Sequence, residues 1–371
     1  MQNLDPSLAR SQQNPSLKVK MILICAGLLA GFLIAESIAR VLHLGIIPAP
    51  RRVIYDGESR EWCCGPEVMV GRVHRYKSNT TFEHCYSGAK RDYFDSRGCV
   101  TYHINRWGYR GQDFTLEKPA DVYRIVFLGD SFTFGEGTPE PLLYTSLLKV
   151  SLEGRRIDGR RIELINLAIP GDDGTKELVT YSEFGRALAP DWVIVQWNTN
   201  DLPLSVVGED HFRLLANRYR ALFEANPWKW SRLFSTLYFN IELHSISREL
   251  VTVTKERAEK ESGAFGSIGL LRSVTQADGA DFTVLVFPEI IRFNDYPYAT
   301  VVDLLKEYCR NEQVSTVDLL PALSQHRDRD LWVYETDHHP NRVAHAIAAR
   351  ELLKFVTPKL DLDSAAKKAS K

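Results

Sequence analysis

The chain has almost no excess of charge of either sign. Its 371 residues contain 46 lysines and arginines against 47 aspartates and glutamates, which leaves a formal net charge of −1. Proteins that hold nucleic acid through their overall charge carry a marked basic excess, so the composition argues against nucleic acid as a partner. The 44% hydrophobic and 25% charged residues are typical of a globular protein with one large domain plus additions.

Cysteine is also scarce. Four of the six cysteines, Cys63, Cys64, Cys85 and Cys99, lie in one short region, and Cys309 lies on a helix-like stretch and is expected in the core. Adjacent cysteines seldom pair with each other, so we expect disulfides that join Cys63 and Cys64 to Cys85 and Cys99. A metal site is the alternative, although paired zinc ligands are usually about two to four residues apart and these are not.

One apolar run lies near the N-terminus. Residues 21–35 carry no charge, and apolar residues continue past Glu36 and Arg40. A spanning helix needs about 20 apolar residues and a cleavable signal about 7–15, so length does not decide between them. We expect an uncleaved signal anchor over 21–42. A signal cleaved at Ser37-Ile38-Ala39 and a buried helix of a soluble protein are the alternatives, and either of the first two interpretations exports the rest of the chain from the cytoplasm.

The remainder divides into a lead-in and a larger segment. Residues 48–120 have no long helical period and many turn formers, which predicts a small β-rich lead-in held by disulfides. Over 121–357 strand-like and helix-like runs alternate, as in parallel βαβ units. Within that segment, 202–279 is a long helical insertion rich in aromatics, expected to pack on the sheet, to cap the strand ends or to lie against a membrane. The polar termini, 1–20 and 358–371, are expected to be disordered.

A serine follows the first strand of this segment. The apolar run from Tyr123 to Leu128 predicts a buried strand that ends at Gly129, and Ser131 lies in the polar turn before the next helix. In α/β sheets such strand-to-helix loops are where ligands bind, because free backbone N–H groups there meet negative charge. An ordinary turn that contains a serine by chance is the alternative.

Three later loops carry polar residues in a regular order. Gly171, Asn200 and the pair Asp337 and His339 each follow or precede a predicted element of the sheet. A serine hydroxyl becomes a good nucleophile when a neighbouring base takes its proton and a third group orients the base. His339 is the candidate base for Ser131, and Asp337 is the candidate orienting group.

These blocks resemble the SGNH (GDSL-type) hydrolase family over about residues 100–357. The corresponding residues are Gly129-Asp130-Ser131 for the nucleophile block, Gly171 for the second, Asn200-Asp201 for the third, and Asp337 with His339 for the last. Two positions differ from the usual pattern. Asn198 stands where the third block usually has glycine, and this change could displace Asn200. A single residue separates Asp337 from His339, a spacing common among membrane-anchored bacterial members.

The resemblance implies a flavodoxin-like three-layer α/β/α sandwich with a parallel sheet of about five strands. It implies that Ser131 is the nucleophile, His339 the base and Asp337 the orienting group. His338 is the rival base, and a helix cap is the alternative role for Asp337.

The resemblance also assigns the donors that would stabilise the negative oxygen of a tetrahedral intermediate. They are the backbone N–H groups of Ser131 and Gly171 and the side-chain amide of Asn200. Asp130 and Asp201 are expected to stabilise their loops rather than to take part in the chemistry.

A further resemblance lies in the lead-in. Residues 104–111 are similar to the Asn-x-x-Gly-aromatic-Arg motif of exported bacterial SGNH proteins. The resemblance implies a structural turn whose arginine and aromatic side chains pack on the edge of the sheet.

As a whole, the resemblance implies a membrane-anchored serine esterase of the periplasm or cell surface that forms an acyl-enzyme without metal or organic cofactor. Its substrate would be an acyl ester, with an acylated polysaccharide or lipid among the candidates, and its candidate partner a membrane-bound acyltransferase. One alternative is an O-acyltransferase that moves acetyl groups to an exported polysaccharide. The other is a non-catalytic glycan-binding or assembly factor on the same scaffold.

Overall fold

The structure is a computed structural model. It describes residues 16–42, 44–45, 51–61, 65–86, 91–202, 209–260 and 263–361. Cys63 and Cys64 lie outside the described residues, as do most of the N-terminal segment 1–20 and most of the tail 358–371 that the sequence predicts to be disordered. The chain forms two compact units, one of Met1–Pro48 with Ala221–His244 and one of Ala49–Arg220 with Ser245–Lys371. The middle of the predicted insertion 202–279 therefore belongs to the unit that contains the N-terminus.

The first unit contains a long apolar helix, α1, over Leu17–Val41. The helix begins four residues before the expected start at residue 21. Its N-cap is Ser16, whose side chain accepts a hydrogen bond from the Val19 N–H. Its mean hydropathy reaches 2.3, and it is long and apolar enough to cross a membrane. It buries only Glu36 and Ala39, which is consistent with the expected signal anchor.

The remaining elements are numbered along the chain. The strands are β1 (Arg52–Tyr55), β2 (Glu58–Glu61), β3 (Glu67–Val70), β4 (Val73–Tyr76), β5 (Thr80–Cys85), β6 (Cys99–Ile104), β7 (Val122–Leu128), β8 (Arg156–Ile157), β9 (Arg160–Asn166), β10 (Trp192–Trp197), β11 (Asp281–Val286), β12 (Ser315–Asp318), β13 (Trp332–Tyr334) and β14 (Asp337–Pro340). The helices are α2 (Ser131–Phe134), α3 (Tyr144–Ser151), α4 (Gly174–Glu183), α5 (Glu209–Glu224), α6 (Arg232–Lys260), α7 (Gly266–Ala277), α8 (Ala299–Asn311), α9 (Leu320–Leu323) and α10 (Arg342–Val356).

The second unit is built on a six-stranded sheet. Its strand order is β12-β11-β10-β7-β9-β8, and five of these strands pair in parallel while the short β8 pairs antiparallel with β9. Numbered by chain order, the parallel strands run 2-1-3-4-5, which is the flavodoxin-like order. The predicted fold class is confirmed, with β8 as an added edge strand.

The sheet has a core on each face because its central strands are apolar throughout. Every residue of β7 and β10 is buried. Successive residues of a strand point to opposite faces, so Val126 and Leu128 enter one core and Ile125 and Phe127 the other. Helices α4, α7 and α8 cover the first face, and α3 and α10 cover the second. The carboxyl end of β7 is thereby held between two layers of helices.

The lead-in forms a separate antiparallel sheet of order β2-β1-β5-β6 and a hairpin of β3 and β4. Its disulfide joins Cys85 to Cys99, at opposite positions of β5 and β6. The prediction that these two cysteines pair with Cys63 and Cys64 is therefore wrong, because the register of the two strands places them side by side. Cys309 is buried, as the sequence predicts.

Candidate active site

Ser131 is the first residue of α2, directly after the carboxyl end of β7. The chain turns at Gly129, whose φ of +156° and close neighbours exclude a side chain, since a Cβ there would lie 2.5 Å from Thr133 Oγ1. Asp130 caps the short helix by accepting a hydrogen bond from the Phe132 N–H at 2.8 Å. The hydroxyl of Ser131 thus lies at the N-terminus of a helical turn, where backbone N–H groups are unpaired within the helix.

The last predicted block reaches Ser131 from the opposite end of the sequence. The His339 Nε2 atom lies 2.8 Å from Ser131 Oγ. The other ring nitrogen, Nδ1, forms a short hydrogen bond with Asp337 Oδ1, which also accepts the backbone N–H of His339 at 3.1 Å. The three side chains form one continuous hydrogen-bonded series, the arrangement that can activate a serine hydroxyl.

The neighbouring histidine has a different environment. His338 stacks on Trp332 with ring centroids 3.8 Å apart and an interplanar angle of 12°, and burial lowers its pKa to about 4. His345 is fully buried in α10, where its Nδ1 accepts the Tyr144 N–H at 3.3 Å. The structure therefore gives the rival base His338, as well as His345, a packing position and brings His339 to Ser131.

Asp337 is held by two residues of the lead-in. Its second oxygen, Oδ2, accepts the hydroxyl hydrogen of Tyr86 at 2.8 Å and lies 3.8 Å from the Arg51 guanidinium. Burial acts to raise the pKa of Asp337, but the charge and hydrogen bonds of His339, together with Arg51, outweigh it and hold the pKa well below its usual range. These contacts favour the ionised form of Asp337, which can accept the hydrogen bond of His339 Nδ1.

A buried glutamate follows the turn of residues 129–135, which we call the nucleophile turn because it contains Ser131, the predicted nucleophile. Glu136 is 4% exposed; one of its oxygens pairs closely with Arg51, and the other lies 3.3 Å from His339 Nε2. An imidazole that takes the proton of Ser131 would therefore face a carboxylate on each side, Asp337 at Nδ1 and Glu136 near Nε2.

The third predicted loop is tied to the nucleophile turn through Asp130. The side-chain amides of Asn200 and Asn198 donate to Asp130 Oδ2 at 2.7 and 2.9 Å. Asn198 also accepts the Asn200 N–H at 2.8 Å, and its own N–H donates to Asp201 Oδ2 at 2.7 Å. The asparagine that replaces the usual glycine thus adds a second bond to Asp130 and leaves the Asn200 side chain beside the nucleophile turn.

Gly171 lies in the second predicted loop with a φ of +75°. A Cβ at this position would meet no atom within 4 Å, so the backbone conformation, rather than lack of space, favours glycine. The next residue, Asp172, is buried and bonds to His74 Nδ1 of β4 at 2.7 Å. Hydrogen bonds to Asp172 and Glu67 raise the pKa of His74 to about 9, which makes this contact a charged pair near neutral pH.

The motif in residues 104–111 supports the nucleophile turn directly. Arg110 is 5% exposed and donates to the backbone carbonyls of Phe134 at 2.8 Å, Gly135 at 2.7 Å and Thr138 at 2.6 Å. The Asn105 side chain accepts the N–H of Tyr109 at 3.1 Å and so closes the turn. The arginine therefore satisfies the end of α2, which is a more specific contact than the sheet-edge packing expected from the sequence.

Four residues that surround the candidate site were not predicted from the sequence to contact it. Tyr86, Arg51, Glu136 and Arg110 surround the Ser131–His339 pair, yet three of them belong to the lead-in. The position of Tyr86 directly after Cys85 is the signal that could have indicated a fixed location, because a disulfide restrains its neighbours.

The described residues offer little support for the metal-site alternative at the cysteines. Among them, Glu83, Cys85 and Cys99 are close enough together to share an ion. The two sulfurs are joined in a disulfide, however, and only a free thiolate is a metal ligand.

A comparison with models of protein families identifies the family of this chain. The sequence model of the GDSL-like Lipase/Acylhydrolase family matches residues 127–347, more than half of the chain. None of the curated proteins matches the sequence.

Among solved structures, TesA is 13% identical and covers 64% of this chain and 99% of its own, with a TM-score of 0.39. The psychrotrophic esterase EstA from Pseudoalteromonas sp. is 15% identical and covers 64% of this chain and 97% of its own, with a TM-score of 0.40. A member of the lipolytic protein G-D-S-L family from Veillonella parvula DSM 2008 is 12% identical and covers 63% of this chain and 98% of its own, also with a TM-score of 0.40.

The family match extends from within β7 into α10 and so includes the nucleophile turn and the last block. The chain belongs to the GDSL-like lipase/acylhydrolase family and is a hydrolase that acts on ester bonds.

Proposed function

We propose that this hydrolase is a serine esterase of the space outside the cytoplasm, with Ser131 as nucleophile, His339 as general base and Asp337 as the group that orients the base. The observation that carries the proposal is the 2.8 Å contact between His339 Nε2 and Ser131 Oγ, continued by the His339 Nδ1 to Asp337 bond. This geometry lets the imidazole take the hydroxyl proton as the oxygen attacks.

In the acylation step, Ser131 Oγ bonds to the carbonyl carbon of the ester while His339 Nε2 accepts the hydroxyl proton. The tetrahedral intermediate collapses, the carbon–oxygen bond to the alcohol breaks, and His339 returns the proton to the departing alcohol oxygen. Water then attacks the acyl-enzyme, again losing a proton to His339, and Ser131 is released with its proton restored. The products are one alcohol and one carboxylic acid.

The negative oxygen of each intermediate requires donors near Ser131. We assign the backbone N–H groups of Ser131 and Gly171 and the Asn200 amide, which has a second N–H besides the one bonded to Asp130. The glycine backbone at Gly171 and the tie of Asn200 to the nucleophile turn support this assignment. Loss of one such donor typically lowers kcat by about 10²–10³.

The proposed location rests on α1 and on the disulfide of the lead-in. Lys18 and Lys20 lie at the start of the apolar helix, and basic residues favour the cytoplasmic end of a spanning helix. The Cys85–Cys99 disulfide suits an oxidising compartment. In intact cells, an impermeant protease should therefore digest the catalytic unit once the outer barrier is opened, and protection by the inner membrane would contradict the location.

A fluorophosphonate probe tests the chemistry, because it reacts with activated serines. We expect the full-length protein to be labelled at Ser131, as mapped by peptide mass spectrometry, and we expect His339→Ala to abolish labelling. His338→Ala is the matched control and should be labelled at the wild-type rate. Labelling that persists in His339→Ala, or that falls on another serine, would refute the assignment.

The acyl-enzyme also allows transfer to an alcohol, which is the acyltransferase alternative. The partition is measured by supplying a chromogenic acetyl ester with and without an acetyl-accepting oligosaccharide. The esterase proposal predicts equal release of acetate and of the chromogenic alcohol in both cases. Acetate release that falls behind alcohol release when the oligosaccharide is present would instead establish transfer.

A further inference from the structure

The first unit exposes a set of large apolar side chains. Trp228 and Trp230 are 40% and 57% exposed, and Phe234, Leu237 and Ile241 on α6 are 36%, 57% and 57% exposed. The three positions on α6 follow the three- and four-residue spacing of one helix face. We name these five residues the apolar stripe.

The apolar stripe is restricted to one side of its segment. Ser235 and Phe239, on the same turns of α6, are buried. Beyond Ile241 the exposed positions become polar, with His244, Ser245 and Arg248. Single exposed apolar side chains are normal on a protein surface, but a contiguous apolar patch bounded by polar residues marks an interaction site.

The apolar stripe continues the surface of α1. Phe32 of α1 stacks on Phe234 with centroids 5.0 Å apart and meets Trp230 edge-on at 6.4 Å. Trp228 in turn packs on Phe234 at 5.2 Å. At 1.5 Å per residue, Phe32 lies about 21 Å along the helix from Lys18. If Lys18 marks the cytoplasmic boundary of a hydrocarbon layer about 30 Å thick, Phe32 lies in the half of that layer farther from the cytoplasm.

Two charged residues in the second half of α1, Glu36 and Arg40, find partners within the same unit. Glu36 accepts the backbone N–H groups of Arg232 and Leu233 at 2.9 and 3.2 Å and the Ser231 hydroxyl at 2.9 Å, so its carboxylate caps the start of α6. Arg40 bonds to Glu36 at 2.8 Å and to the Trp230 carbonyl. In a bilayer, polar groups must find partners inside the protein. These contacts allow the beginning of α6 to lie beside α1 at the depth of the membrane boundary.

We infer that the apolar stripe inserts into the distal leaflet of a lipid bilayer next to α1, so that the protein is held by a spanning helix and by an interfacial aromatic segment. The inference rests on the proposed membrane anchoring and adds a second element to it. Lipid is the occupant favoured by the direct continuity with α1 and by the two tryptophans, which suit the interface between hydrocarbon and water.

The same contacts argue that α1 is retained. Cleavage at Ser37-Ile38-Ala39 would remove Glu36, the residue that caps α6 and bonds to Ser231. The first unit would then lose its central polar contact. Retention of α1 is therefore a consequence of the inferred arrangement.

The tryptophans of the stripe are native reporters for a test. The full-length protein is reconstituted into phosphatidylcholine vesicles whose acyl chains carry bromine near the glycerol end, and tryptophan emission is compared with that in unbrominated vesicles. Bromine quenches only tryptophans that touch lipid. Since two of the seven tryptophans belong to the stripe, we expect bromine to remove up to about two sevenths of the wild-type emission. The variant Trp228→Phe/Trp230→Phe should show no bromine-dependent loss.

The matched control is Trp107→Phe/Trp332→Phe, which removes two tryptophans of the second unit and should keep the full bromine-dependent loss. Vesicle flotation reports anchoring separately. If the wild type and the stripe variant both float and show the same bromine-dependent loss, the inference is overturned. It is also overturned if the stripe tryptophans are quenched neither by bromine nor by aqueous acrylamide, because a second copy or another protein would then cover them. Failure to float would overturn the anchoring itself and the inference with it.

Discussion

Tyr86→Phe removes one hydroxyl from the lead-in and tests whether this segment contributes to catalysis. The hydroxyl donates to Asp337 Oδ2 at 2.8 Å in a site where Tyr86 is 3% exposed. The phenylalanine keeps the ring that stacks on Phe94, whose plane lies 1° from that of Tyr86. The change therefore deletes a hydrogen bond and conserves the packing.

The size of the effect follows from the charge of the acceptor. A hydrogen bond to an ionised group contributes about 1.5–3 kcal/mol, which corresponds to about 10- to 150-fold in rate at about 1.4 kcal/mol per factor of ten. Asp337 keeps its bonds to His339 and its contact with Arg51. We therefore expect kcat/KM to fall by about tenfold, the lower end of that range.

The assay is steady-state hydrolysis of a short-chain p-nitrophenyl ester near neutral pH. A hydrogen bond that orients the base acts on the chemical step, so we expect the loss in kcat with little change in KM. Tyr109→Phe, which removes a hydroxyl from another buried tyrosine of the lead-in, is the control. A wild-type kcat for Tyr86→Phe would refute the reasoning.

Three further predictions concern the proposed triad and its surroundings. His338→Ala should keep near-wild-type kcat, whereas His339→Ala should lose turnover with any ester substrate; equal losses in a steady-state assay would contradict the difference in their contacts. His74→Gln should destabilise the protein most below about pH 6.5. The contacts of His74 raise its pKa to about 9 in the folded protein, so the charged ring stabilises the folded state. This stabilisation is complete below the unfolded pKa of about 6.5 and disappears as the pH rises through 9. A melting-temperature difference from wild type that is constant with pH would rule this out. Arg110→Lys should lower the free energy of unfolding by about 2–4 kcal/mol, because lysine leaves buried carbonyls of the α2 turn unpaired, and denaturant unfolding measures the change.

The lead-in has a larger part in this site than its small sheet suggests. Arg110 donates to the carbonyl at the end of α2, Tyr86 and Arg51 contact Asp337, and His74 bonds to Asp172, directly after Gly171. The disulfide between Cys85 and Cys99 fixes the strand that leads to Tyr86. We therefore expect variants in this segment to affect turnover as well as stability.

The amino-acid sequence by itself determined the framework of the protein. Continuous apolar runs such as Trp192–Trp197 predict strands buried on both faces, and alternation with helical periods predicts the parallel sheet, because both patterns are local. The family and the flavodoxin-like fold class were predicted from the resemblance of the Ser131, Gly171, Asn200 and Asp337–His339 blocks to SGNH hydrolases, and both are confirmed. The same local patterns placed Ser131, Gly171 and Asn200 on loops after strands.

The tertiary structure decided which distant side chains meet. Tyr86 and Asp337 are 251 positions apart, and Glu36 and Ser231 are 195 apart; no periodicity relates such pairs. The pairing of Cys85 with Cys99 likewise depends on the register of β5 and β6, which a list of cysteine positions does not contain. Periodic patterns specify the face on which a residue lies, but long-range contacts depend on how elements pack, and packing is a property of the whole fold.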